Sequence, residues 1–223
     1  MYDLRHDFSQ ATDLAAKYPD RLEEMKKRFL ALADDNKAFP TGAGNWLRLH
    51  PEDRIKTPYT TWHFSQNTRR MPEFAAPGVG RESNRVTIDV EIGAKASGVL
   101  YAVGGSGGGL SLYMDQGQLV YEYNMMIIER YTARSAAPLA AGKHTIEVVT
   151  DIRGPGQAGT VRLLVDGSEV GMTALKRTVP AAFTATETFD VGVDLGSTVS
   201  LGYFEQCPFA FSGIIREVRV ELE

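Results

Sequence analysis

At 223 residues, with 43% hydrophobic and 23% charged side chains, the chain is long enough to bury a sizeable core without disulfides or metals. Its net charge of −4 argues against a general nucleic-acid binder, which carries a basic face. The single cysteine, Cys207, excludes an intrachain disulfide and a cysteine-based zinc cluster, and no apolar run of about eighteen residues marks a membrane span.

Residues 1–38 read as helical. Pro19 stands near a first helical position, and Asp20, Glu23 and Glu24 precede Lys26, Lys27 and Arg28, an order that suits the helix dipole. Leu22, Met25, Phe29 and Leu32 recur at helical spacing as one apolar stripe, which needs a surface to pack against. Upstream, Ser9 is placed to cap a short turn through Leu14 and Ala15. Residues 39–58 carry Pro40, Gly42, Gly44, Pro51 and Pro58 and no periodic pattern, so they read as a linker, pinned by Trp46, Leu47 and Leu49.

From residue 59 to 223 the period changes to two. Val86, Ile88, Val90 and Ile92 alternate with Thr87, Asp89 and Glu91, and Val99, Tyr101 and Val103 alternate next. Residues 110–123 read as a hairpin about Asp115-Gln116-Gly117. Ile146, Val148 and Thr150 form a further strand; Val161, Leu163 and Val165 run into Asp166-Gly167, a strong two-residue hairpin signal. Residues 189–193 are short and β-rich, and Ile214, Arg216, Val218 and Val220 form a last strand of mixed pattern. Strands and turns without intervening helices predict a mainly β fold, a sandwich behind a short N-terminal helical segment.

Few residues offer chemistry. The run from Gly104 to Gly109 lacks the Gly-Lys-Ser/Thr of a Walker loop and the third glycine of a dinucleotide loop; it reads as a flexible connection between strands. His6, His50, His63 and His144 show no metal-ligand spacing, and no Gly-x-Ser-x-Gly elbow is present. Glu187, Asp190 and Asp194 surround a glycine-rich stretch, as calcium ligands or as turn formers. Trp62, Tyr121, Tyr123 and Tyr131 lie on or near strands, where aromatic residues either fill a core or present a stacking platform to sugars.

A resemblance adds to this reading. The opening Met1-Tyr2-Asp3-Leu4-Arg5 through Asp13-Leu14-Ala15 resembles the Leu-Tyr-Asp-Leu…Asn-Leu-Ala segment near the end of sulfatases, with Asp13 where asparagine is usual; Tyr18-Pro19-Asp20-Arg21-Leu22 is similar to that family's final helix. The remainder resembles the sandwich extension of bacterial arylsulfatases. Its marks, in order, include Thr68-Arg69-Arg70-Met71-Pro72, Gly109-Leu110-Ser111-Leu112-Tyr113, Leu119-Val120-Tyr121-Glu122-Tyr123-Asn124, Arg177-Thr178-Val179-Pro180, Glu187-Thr188-Phe189-Asp190-Val191-Gly192 and Phe211-Ser212-Gly213. The resemblance implies a concanavalin A-like jelly roll, a fragment that begins inside the family's sequence, and a partner in its own missing sulfatase catalytic domain. It implies no catalytic residue here: the family's formylglycine arises in a Cys/Ser-x-Pro-x-Arg motif, whereas Pro208 directly follows Cys207, and the family's calcium ligands lie upstream. The expected role is a non-catalytic accessory domain that shapes substrate access; the alternative is a carbohydrate-binding module for sulfated glycans. Neither nucleic acid nor membrane is an expected partner, and an uncovered stripe of Leu22, Met25, Phe29 and Leu32 predicts self-association.

Overall fold

The computed structural model describes residues 1–36, 38, 50, 53, 58–184 and 186–223. The proposed linker, with Trp46, Leu47 and Leu49, lies almost wholly outside the described residues. The chain divides into two compact units, Met1–Trp46 and Leu47–Glu223.

In the first unit, helix α1 spans Pro19–Asp35, with Pro19 in the first turn as its sequence predicts. Asn36 closes it, its side-chain amide donating to the Leu32 carbonyl at 2.7 Å. The upstream turn is held by Asp7 rather than Ser9. The Asp7 carboxylate accepts the backbone N–H groups of Ala11 (3.0 Å) and Thr12 (2.8 Å), and Ser9 only donates to it. Those backbone donors hold the Asp7 pKa below its ordinary value.

The second unit is a jelly-roll-like β-sandwich of two six-stranded antiparallel sheets. Sheet A orders β1 (Thr61–Phe64), β12 (Ile214–Leu222), β3 (Asn84–Ile92), β8 (Gly142–Ile152), β9 (Gly159–Val165) and β10 (Ser168–Leu175). Sheet B orders β2 (Met71–Pro72), β11 (Thr188–Val191), β4 (Gly98–Gly105), β5 (Gly108–Asp115), β6 (Gln118–Met125) and β7 (Glu129–Arg134).

Sheet A keeps one face in water. Val86, Ile88, Val90 and Ile92 are buried while Asp89 is exposed and Thr87 and Glu91 are half-buried, so the alternation in the sequence maps directly onto in and out. The mixed pattern of the last strand has a mechanical cause. A register shift between Ile215 and Glu217 turns Ile215, Val218 and Val220 inward and leaves Ile214 outside.

Sheet B is buried on both faces along β4, β5 and β6. Two of its neighbours meet at tight turns that the sequence announces. Gln116 and Gly117 join β5 to β6, and Asp166 and Gly167 join β9 to β10, each pair with positive φ, the geometry of a two-residue I′ hairpin. The glycine run is also a tight hairpin, not a slack connection. A Cβ on Gly104 would lie 2.3 Å from the Gly108 carbonyl oxygen, and one on Gly105 would lie 2.4 Å from Ser197 Oγ. Gly104, Gly105, Gly108 and Gly109 are glycine where a side chain would collide with its neighbours.

Tyr121 and Tyr123 of β6 both face inward, and their hydroxyls differ. Tyr123 donates to the Gly80 carbonyl at 2.7 Å and accepts the Val179 N–H at 2.8 Å. The buried Tyr121 hydroxyl has no partner among the described residues. Tyr123→Phe strands two buried backbone groups and should cost about 1–3 kcal/mol, whereas Tyr121→Phe removes only an unsatisfied hydroxyl and should be neutral or stabilising. Urea unfolding of the two variants beside the wild type measures the contrast; equal losses would contradict it.

Candidate functional site

The outer face of sheet B is where the chain departs from a plain sandwich. Val99, Ala102, Tyr113 and Val120 point outward from β4, β5 and β6, and Val199, Tyr203 and Phe209 cover them as a second small core. The cover is the segment 192–212, here termed the strap, which includes a 3-10 segment at Leu201–Gln206. Its rings interlock: Tyr203 meets Tyr113 edge-on at 4.9 Å and stacks on Phe209 at 5.3 Å. Backbone bonds stitch both ends to β4 and the residues just before it. Gly192 N–H donates to the Leu100 carbonyl (2.8 Å), Val99 N–H to that of Phe209 (2.9 Å) and Ser212 N–H to that of Ser97 (2.9 Å).

Beneath the strap lies a layer of buried polar groups. Glu122, on β6, is 7% exposed; one carboxylate oxygen takes the Arg130 guanidinium and the other takes the Ser200 hydroxyl. Arg130 also donates to the Val199 carbonyl at 2.9 Å, so one cation bridges sheet and strap. A buried carboxylate is tolerated when paired and hydrogen-bonded in this way. Asp194 belongs to the strap itself. It accepts the Tyr203 hydroxyl at 2.6 Å and the Val199 N–H at 3.0 Å, which fold the strap back on its own start. Burial pushes the Asp194 carboxyl up to about 6; the two hydrogen bonds pull it down, and the charges of Asp190 and Glu187 add to the rise.

The structure corrects the residues that the sequence offered for sugar binding. Tyr121, Tyr123 and Tyr131 are 1%, 0% and 8% exposed, on the face of sheet B that meets sheet A. Trp62, on edge strand β1, is half-buried with its ring against the same core. They pack the interior because the period of two placed them on a common face, and that face is the inner one. The exposed aromatics of the sandwich, Tyr59, Phe74 and Phe204, lie in loops and in the 3-10 segment, not on a sheet face.

The carboxylates of the acidic cluster are engaged within the protein. Asp190 accepts the Arg70 N–H (2.7 Å) and the Thr188 hydroxyl (2.8 Å), Glu187 accepts the Ser197 hydroxyl (2.7 Å), and Asp194 is engaged with Tyr203 and Val199. Each carboxylate is engaged with a different part of the chain, and among the described residues no three acidic, histidine or cysteine side chains are placed to hold a metal.

Two open hollows mark the surface. One, of about 350 Å³, lies between the ends of β8 and β9 beside Ser83 and Arg153. The other, of about 250 Å³, is lined by Asp89, Lys143, His144, Thr145, Asp166 and Arg216. There His144 is held between Asp166 (2.8 Å) and the Ala140 carbonyl (2.9 Å), and the Asp166 hydrogen bond raises its pKa. Neither hollow is lined by Trp62, Tyr121, Tyr123, Tyr131, Glu187, Asp190 or Asp194.

No protein-family model and no curated protein sequence matches the chain. Solved structures do resemble it. The mouse laminin alpha1 chain, domains LG4-5, aligns with a TM-score of 0.49 at 15% identity over 73% of this chain and 42% of that one. The CBM40 of Ruminococcus gnavus IT-sialidase, bound to alpha2,3 sialyllactose, aligns at 0.48 with 16% identity over 73% and 89%. A galectin from Caenorhabditis elegans aligns at 0.41 with 11% identity over 71% and 95%. The chain thus spans less than half of the laminin fragment, and the likeness is one of fold alone.

The buried Asp194 has a consequence for stability. An acid with a raised folded pKa keeps its proton to higher pH in the folded state than in the unfolded chain, so its contribution is full below the unfolded value of 3.8 and is lost as pH rises through about 6. Asp194→Asn removes that loss. Unfolding free energies measured from about pH 4 to about pH 7 should show the variant gaining on the wild type by up to about 3 kcal/mol across the window. Parallel pH profiles would contradict the placement of this carboxylate.

Proposed function

We propose that this chain is a non-catalytic accessory sandwich of a sulfatase-type enzyme, with a structural role beside the catalytic domain. The observation that carries the non-binding part is the closed outer face of sheet B. Val99 and Val120 beneath the strap are fully buried, and the tyrosines that would form a sugar platform are inside. A stacking site needs aromatic faces open to the ligand. The sulfatase origin rests on the ordered motifs of the sequence, from Tyr2-Asp3-Leu4 to Phe211-Ser212-Gly213.

In this reading the sulfate-ester chemistry, with its formylglycine and calcium ion, belongs to the parent's catalytic domain. Cys207 does not substitute for it. Its motif is wrong, and burial with the nearby Asp194 charge raises the thiol pKa, which keeps it from the thiolate form.

The test is a titration of the purified chain against sulfated and unsulfated glycans, with sulfate-ester hydrolysis followed in the same sample. The expected result is neither saturable binding nor turnover. Saturable binding of sulfated glycans would replace the structural role with a targeting module, and turnover by the chain alone would overturn the reading.

A further inference from the structure

Helix α1 carries Leu22, Met25, Phe29 and Leu32 at alternating spacings of three and four, and Asn36 continues the series. These positions fit the a–d seam of a coiled coil, within a helix whose run Phe29–Ala33 is apolar on every side. Met25, Phe29 and Leu32 are 49%, 60% and 52% exposed.

The charges beside the seam select its occupant. Arg21, Arg28 and Asp35 follow one another at heptad spacing on one flank; Lys26 and Ala33, the latter already buried within the chain, lie on the other. Arg21 is engaged by Glu24 and Lys26 by Glu23 within the helix. Arg28 and Asp35 have no ion-pair partner among the described residues. In a parallel pair, Arg21 would face Lys26 of the other copy, like against like. In an antiparallel pair with Phe29 opposite Leu32, Met25 falls opposite Asn36, and Arg28 lies beside Asp35 of the second copy. Two-fold symmetry makes that charge pair twice.

We propose that a second copy of this chain pairs antiparallel along this seam, with Phe29 and Leu32 at its centre and Arg28–Asp35 pairs at its flank. The seam is about two heptads long, so the pairing is weak, with dissociation in the range of tens to hundreds of micromolar as an order of magnitude. The inference does not rest on the accessory-domain reading: glycan binding or turnover would overturn that reading and leave this one standing.

Sedimentation equilibrium of the full chain, from micromolar to roughly 1 mM, tests it. The wild type should dimerise reversibly and Phe29→Asp should be monomeric throughout. Arg28→Asp sets like charges together twice and should weaken the dimer about 10-fold, and the double variant Arg28→Asp with Asp35→Arg should restore it. Circular dichroism of each variant confirms that the sandwich is folded. A wild type that stays monomeric, a dimer indifferent to Phe29→Asp, or a double variant as weak as the single would each overturn the proposal; the first would leave the seam to a different chain.

Discussion

The closure of sheet B by the strap is the constraint on which the rest of the sandwich depends. A sandwich ordinarily leaves the outer face of each sheet in water, as sheet A does here. Sheet B instead has Val99 and Val120 wholly buried on its outer side, and removing a side chain of that size from water stabilises by about 1.5–3 kcal/mol. The strap therefore acts as a third layer. The Tyr113–Tyr203–Phe209 rings give this layer its packing, and the polar groups beneath fix its position.

Those polar groups explain why the strap has one resting place. Glu122 needs both Arg130 and Ser200, and Arg130 needs the Val199 carbonyl; shifting the strap by one residue would strand a buried charge. Asp194 adds an internal clasp through Tyr203. This arrangement makes the outer face of sheet B an internal interface. What the sandwich offers to other molecules is the charged outer face of sheet A, with its cross-strand pairs Arg85–Glu147 and Arg216–Glu91, and its loops.

Much of this was legible in the sequence where a local rule governs. The alternation of residues 86–92 gave β3 its inward set, and Gln116-Gly117 and Asp166-Gly167 gave both turns, because positive φ at two successive positions restricts the residues allowed. Other features depend on the third layer and were not legible. A period of two says which side chains share a face, not which face is covered, so core filling is the default reading of Tyr121, Tyr123 and Tyr131 and a sugar platform stays open beside it. Glu187, Asp190 and Asp194 are near one another in sequence, yet each is committed to different partners, which only the tertiary arrangement reveals. Strand β7, Glu129–Arg134, carries little signal in the sequence because Tyr131 and Ala133 supply only two apolar positions. The sequence does carry a sign of the strap, in Val199, Tyr203 and Phe209 within a segment that has no strand pattern, because apolar residues in a loop need something to cover.

Amide hydrogen exchange on the intact chain tests this account most directly. If the strap is a fixed layer, the amides of Val99, Val199 and Gly202 and the strands beneath should exchange only with global unfolding, at the rate of the inner core. Exchange of the 192–212 amides by local opening, far faster than that of β3 and β8, would show a mobile cover over an accessible face and contradict the account.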